Sequence, residues 1–224
     1  MKRLTLIIIL FSSVNLFAQK DSLQLGDYYA DDQIYITVSY NQFFDQPSPI
    51  RKSTFSYGLS TGFIKDFTLN KRGSVAVAFG LGYGYDSFNH KLKVTEANGQ
   101  TNFSSDGNVA NEMYTHNLEI PLELRWRSST ANSYNFWRIY LGLKTTYNFS
   151  NQFDFTDTST GIQTSFTNIS DYNKWQFGAT LSAGYDAFNI HIYYGLSSIY
   201  DNASINGEAI NTKIIKFGLI YYLL

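Results

Sequence analysis

The sequence predicts an all-β fold: a closed, eight-stranded, antiparallel up-and-down transmembrane β-barrel behind a cleaved N-terminal signal peptide. Three observations carry this prediction. From about Gln33 onward apolar residues recur at every second position, with no sustained stripe at helical spacing. Aromatic residues make up 17% of the 224-residue chain, with 18 Tyr and 18 Phe, against 16% charged residues, a mixture that favours strands. Long Asn-, Ser- and Thr-rich connections alternate with short ones, as hairpins arranged around a barrel require.

Taken in order, Lys2 and Arg3 precede the apolar run Leu4 to Phe11, then Ser12 and Ser13, then Leu16-Phe17-Ala18. This reads as a signal peptide over residues 1–18, cut after Ala18. The run is less than half of the roughly 20 apolar residues a spanning helix needs, so any membrane crossing falls to strands. Residues 19–32 follow as a periplasmic segment and 33–224 as the barrel.

The first strand sets Ile34, Ile36, Val38 and Tyr40 against Tyr35, Thr37 and Ser39; the second sets Phe55, Tyr57, Leu59 and Phe63 against Ser56, Gly58, Ser60 and Gly62. The third is the clearest: Val75, Val77, Phe79, Leu81, Tyr83 and Tyr85 alternate with Ala76, Ala78, Gly80, Gly82 and Gly84. The fourth opposes Leu118, Ile120, Leu122, Leu124 and Trp126 to Glu119, Glu123 and Arg125, and the fifth opposes Trp137, Ile139, Leu141, Leu143 and Tyr147 to Arg138, Tyr140, Gly142 and Lys144. The sixth runs from Trp175 to Tyr185 with Lys174 counted on its small-residue face, the seventh from Ile190 to Leu196 and the eighth from Ile215 to Leu223. Asp45 to Lys52, a polar stretch up to Asn111, Ser150 to Asp171, and Asp201 to Asn211 read as the long connections.

Alternation also suits a soluble barrel, so the direction of the faces needs its own argument. The small face is too rich in Gly, Ala and Ser for a solvated surface, yet it holds charges, which suits a narrow polar lumen. Eleven residues from Val75 to Tyr85 rise about 35 Å along the strand, or about 25 Å at a tilt near 45°, the height of a membrane barrel's apolar band. The wall facing lipid is accordingly Val77, Phe79, Leu81, Leu122, Leu141 and Leu143. Tyr83, Tyr85, Trp126, Trp137 and Trp175 stand at stripe ends, where an interfacial aromatic girdle belongs.

A net charge of −1 offers no field for a phosphate backbone, so nucleic acid is not an expected partner. The absence of Cys excludes disulfides, thiolate nucleophiles and iron–sulfur ligation. His90, His116 and His191 form no metal-binding pair in sequence, and neither metal nor cofactor is expected. Gly58-Leu59-Ser60-Thr61-Gly62 matches the pattern of a nucleophile elbow, but the strand continues through Phe63 where the elbow needs a sharp turn and a helix. No catalytic residue is assigned, and the chain reads as non-enzymatic. Glu119, Glu123, Arg125, Arg138 and Lys144 share the inner face of two hairpin neighbours and form a structural charge network, because charges in a restricted interior need partners. An eight-stranded barrel is filled by its own side chains, which argues against a diffusive pore.

The segment His116-Asn117-Leu118-Glu119-Ile120-Pro121-Leu122-Glu123-Leu124-Arg125-Trp126-Arg127, followed by Phe136-Trp137-Arg138-Ile139-Tyr140-Leu141-Gly142, resembles the L-E-I-P-L region of the PorT-like outer-membrane β-barrels of Bacteroidetes, often described as porin-like. The resemblance implies an integral bacterial outer-membrane protein embedded in outer-membrane lipid, while the alternation of long and short connections with an even strand count puts both termini on the side of the short turns, the periplasm. It also implies a structural or interaction role, with envelope or secretion proteins as candidate partners and type IX secretion as the process of the family's namesake. An outer-membrane enzyme acting on lipid or peptide, a soluble ligand-binding barrel and a narrow solute channel stay open as alternatives at this point.

Overall fold

The computed structural model describes residues 32–47, 50, 55–97, 99–105, 109–128, 137–201 and 203–223. The signal peptide and nearly all of the segment over 19–32 lie outside the described residues. Eight strands build the barrel: β1 (Gln33–Phe44), β2 (Tyr57–Thr68), β3 (Val75–His90), β6 (Val109–Arg127), β7 (Trp137–Asp157), β9 (Trp175–Tyr185), β10 (Phe188–Gly195) and β13 (Lys213–Leu223). Each pairs antiparallel with its neighbour, and β1 with β13 closes the ring (Ile34↔Leu223 to Phe44↔Lys213). Closure removes the sheet edges that so apolar a sheet would otherwise expose.

Two joints among the described residues lie at one end of the barrel, the lower end here. β2 and β3 are joined by Leu69 to Ser74, with Gly73 at φ 67°, and β9 and β10 by Asp186-Ala187, with Asp186 at φ 56°. Such left-handed positions suit Gly and Asp, which tolerate them best. The other end carries the long connections, and here the structure corrects the sequence reading. The stretch up to Asn111 is not a loop: β3 continues to His90, β4 (Leu92–Ala97) and β5 (Gln100–Ser105) form a hairpin, and Asn111 sits inside β6. Likewise β7 continues to Asp157 and pairs there with β8 (Gln163–Thr167), while β11 (Ser204–Ile205) and β12 (Glu208–Ala209) make a small hairpin before β13.

The wall faces outward. Phe79, Leu81, Leu141 and Leu143 are 53%, 55%, 59% and 57% exposed, Leu122 is exposed and Val77 half-exposed. Trp126, Trp137 and Tyr185 ring the lower end of this band, with Trp137 and Tyr185 packed edge to face at 5.6 Å. Tyr83, Tyr85, Tyr147 and Trp175 ring the upper end, joined by His116 and Phe149. Tyr83 lies 2.6 Å from the His116 Nδ1.

Inside, the face rich in small residues is nonetheless filled. Tyr35, Tyr140, Tyr193 and Tyr222 are buried in the lumen, and the glycines make room for them. A Cβ on Gly82 would lie 2.1 Å from the Tyr35 hydroxyl, and one on Gly178 2.2 Å from the Tyr193 ring. Lys174 is also corrected: it precedes β9 and is exposed rather than inside.

Above the girdle the interior becomes apolar. Phe43, Phe88, Leu92, Val94, Met113, Phe153, Ile169, Tyr172, Ile199, Tyr200, Ile205 and Ile210 form a dry cluster roofing the lumen. The β4–β5 hairpin belongs to this cap: Phe103 packs edge to face on Tyr200 at 5.1 Å, and the Ser170 amide donates to Glu96.

An arginine at Leu143, in the middle of the wall, is expected to cost about 2–4 kcal/mol of stability in lipid, whereas one at the girdle position Phe149 costs about 0–1 kcal/mol. Urea unfolding of the two variants in vesicles checks the difference.

Candidate functional site

The sequence-predicted lumen residues Glu119, Glu123, Arg125, Arg138 and Lys144 are all buried and point inward. They do not form one cluster. Alternation along β6 puts Arg125 and Arg127 at the lower end, where both guanidinium groups converge on Asp66 of β2, at 2.6 Å and 2.5 Å. Arg125 also binds Glu123 at 2.9 Å and stacks over the Tyr140 ring at 4.5 Å, while Arg127 Nε donates to the Gly73 carbonyl. Arg138 lies over the Tyr222 ring at 5.7 Å.

Higher in the lumen the Lys144 ammonium donates to Glu119 at 2.8 Å, and the Tyr35 hydroxyl reaches the same carboxylate at 3.3 Å. Above them Asp86 accepts from Lys216 at 2.7 Å and from the Asn41 and Asn117 amides. An asparagine ladder follows: Asn148 donates to Asn117, Asn151 donates to Asn148, and the Ile169 amide donates to Asn151. Asn148 also donates to the His116 and Ser150 carbonyls, beside the point where the β6–β7 register shifts. A bulge frees backbone groups from the ladder, and this side chain takes up two of them.

Sequence reasoning therefore missed Asp66, Arg127, Asp86, Lys216 and the asparagines as network members. The signal for Asp66 was present, since it continues the inward parity of Gly62 and Ile64.

Two residual spaces adjoin this network. One lies among Asp86, Glu119, Lys144, His191 and Lys216 and the other among Asn117, Thr146, Tyr172 and Gln176, each of about 10 Å³. That is room for about one water molecule apiece. Ser182 and His191 meet at 2.8 Å, the hydroxyl–imidazole contact that nucleophilic catalysis uses. Both are buried at mid-depth, not at a rim, and a space of one water beside His191 admits no substrate. No group of three or more metal-ligating side chains occurs among the described residues. The arrangement pairs its buried carboxylates with cations and leaves little space beside them.

Residues 17–201 match a protein family described as the outer membrane protein beta-barrel domain. Among solved structures the chain is similar to Ail, the attachment invasion locus protein of Yersinia pestis, at 11% identity over 88% of this chain and 100% of that one, with a TM-score of 0.38. A variant of the Rh. blastica porin is similar at 7% identity over 87% of this chain and 100% of that one, with a TM-score of 0.22. No curated protein matches the sequence.

Replacing Asp66 by Leu takes away the buried carboxylate that Arg125 and Arg127 share and is expected to destabilise the barrel by about 3–5 kcal/mol. Glu123→Leu costs less, because Arg125 keeps Asp66. Lys65→Ala, which breaks the exposed pair with Asp32, costs under about 1 kcal/mol. Denaturation in detergent orders the three.

Proposed function

The chain belongs to the outer membrane protein beta-barrel domain family, and from that premise we propose that it is a sealed, non-enzymatic barrel whose work is done at its lipid-facing wall and its cap. It is an integral protein of the bacterial outer membrane. In this reading the short turns and both termini face the periplasm and the long connections form a folded platform outside. One observation carries the proposal: side chains fill the lumen from Asp66 to the apolar cap, and the two spaces adjoining its charge network hold about one water each.

A barrel closed in this way supports a structural or interaction role. The finer assignment, an accessory of type IX secretion or envelope assembly, rests on the PorT-like segment around Leu118 to Trp126. Outer-membrane lipid and envelope or secretion proteins are the partners it implies.

Two measurements test this. Purified protein in planar bilayers is expected to give no discrete conductance steps, and reproducible steps would overturn the sealed barrel. Affinity purification from detergent-solubilised membranes is expected to recover secretion components, and their absence would remove the secretion assignment while leaving the sealed barrel standing.

A further inference from the structure

His90 and Asn111 lie directly across from each other on β3 and β6, at the level of the cap and above the aromatic girdle. They are 6% and 3% exposed; no side chain bonds the ring nitrogens or the amide, and the polar group beside the ring is the Leu92 backbone at the start of β4. The rings of Phe43 and Phe153 meet the imidazole edge-on at 6.1 Å and 6.3 Å. Buried polar side chains are normally well bonded, so two facing the same apolar cluster without a side-chain partner call for a reason. Their position supplies one. Only Lys91 separates His90 from β4, so the ring sits at the hinge of the β4–β5 hairpin.

We propose that His90 is an acid-operated latch: protonation of its ring releases the β4–β5 hairpin from the mouth of the barrel. A charged imidazolium carries two N–H donors, and beside it the closed cap sets the neutral Leu92 backbone and, across the strand pair, the neutral Asn111 amide, which do not offset the cost of burying the charge. It must be hydrated or leave.

The surrounding groups provide no compensating charge. Just past β1, Asp45 is at the rim and paired with Lys213. On β3, Asp86 is deeper and held by Lys216. Lys91 and Lys93 flank the hinge and repel a second cation, Lys93 lying 4.4 Å from the Phe155 ring. Glu96, at the hairpin tip, accepts from Ser170. Glu112 of β6 alternates to the outer face and accepts from Tyr114, and Asp154 of β7 is bound by Gln152 and Gln163. Burial raises the Tyr172 and Tyr200 phenols, which stay neutral.

Burial pushes the His90 ring down to about 4, against an ordinary value near 6.5. An opened hairpin, with a hydrated ring, binds the proton more tightly. Closure is therefore fully favoured above about pH 6.5 and weakens as the pH falls toward about 4, by roughly 70-fold between pH 7.5 and 4.5.

The test uses the mature chain in lipid vesicles, with amide hydrogen exchange of residues 88–105 at pH 7.5 and 4.5, corrected for intrinsic rates. Protection is expected to fall on the order of 70-fold in the native chain and to stay level in His90→Phe. A level native profile, or an equal fall in His90→Phe, overturns the latch. Should that variant not insert, the His90 ring resonance of the native protein decides: a midpoint below about 5 supports the latch, and one near 6.5 overturns it.

Discussion

The constraint on which the structure depends is the width of its own interior. Eight strands enclose a space that side chains alone can fill, so every inward residue is chosen against the one it faces. Gly82 and Gly178 are empty so that Tyr35 and Tyr193 can be large. Glu119 and Asp86 are tolerable because Lys144 and Lys216 lie against them, and Asp66 because two arginines share it. Ions removed from water need partners close at hand, and the narrow ring supplies them from strands that are distant in sequence.

That width also separates the molecule into two regimes. Within the apolar band the outer surface meets lipid and the inner one holds charge and amide. Above the girdle the outer surface meets water and the inner one turns dry. The inversion is visible on single strands: β6 points Glu119 and Glu123 inward low down, but Met113 inward and Glu112 outward near the top. β7 does the same with Lys144 below and Phe153 above.

This inversion explains what the sequence made legible. All eight barrel strands show in the alternation of bulky and small residues, because a constant lipid environment fixes which face is bulky. The upward continuations do not show, because there the polarity of the two faces exchanges. On β7 the bulge beside Asn148 also resets the count, so that Phe149 and Ser150 break the period just where β7 leaves the band. Asn111 and Ser150 consequently looked like connection residues. The charge network was legible in kind, from Glu119, Glu123, Arg125, Arg138 and Lys144, but not in partnership. Asp66 and Arg125 are brought together by β2 and β6 lying on either side of β3, a relation no local spacing encodes.

The pairing of β1 with β13 has a consequence for how the protein comes to exist. Ile34 meets Leu223 across a seam formed by the first and last strands of the barrel. Contacts so far apart along the chain form slowly, because the intervening polymer must be gathered before they give any return. Until the final strand arrives, β1 offers a row of unbonded amides to whatever is nearby. Loss of β13 alone would leave an open ribbon instead of a smaller cylinder.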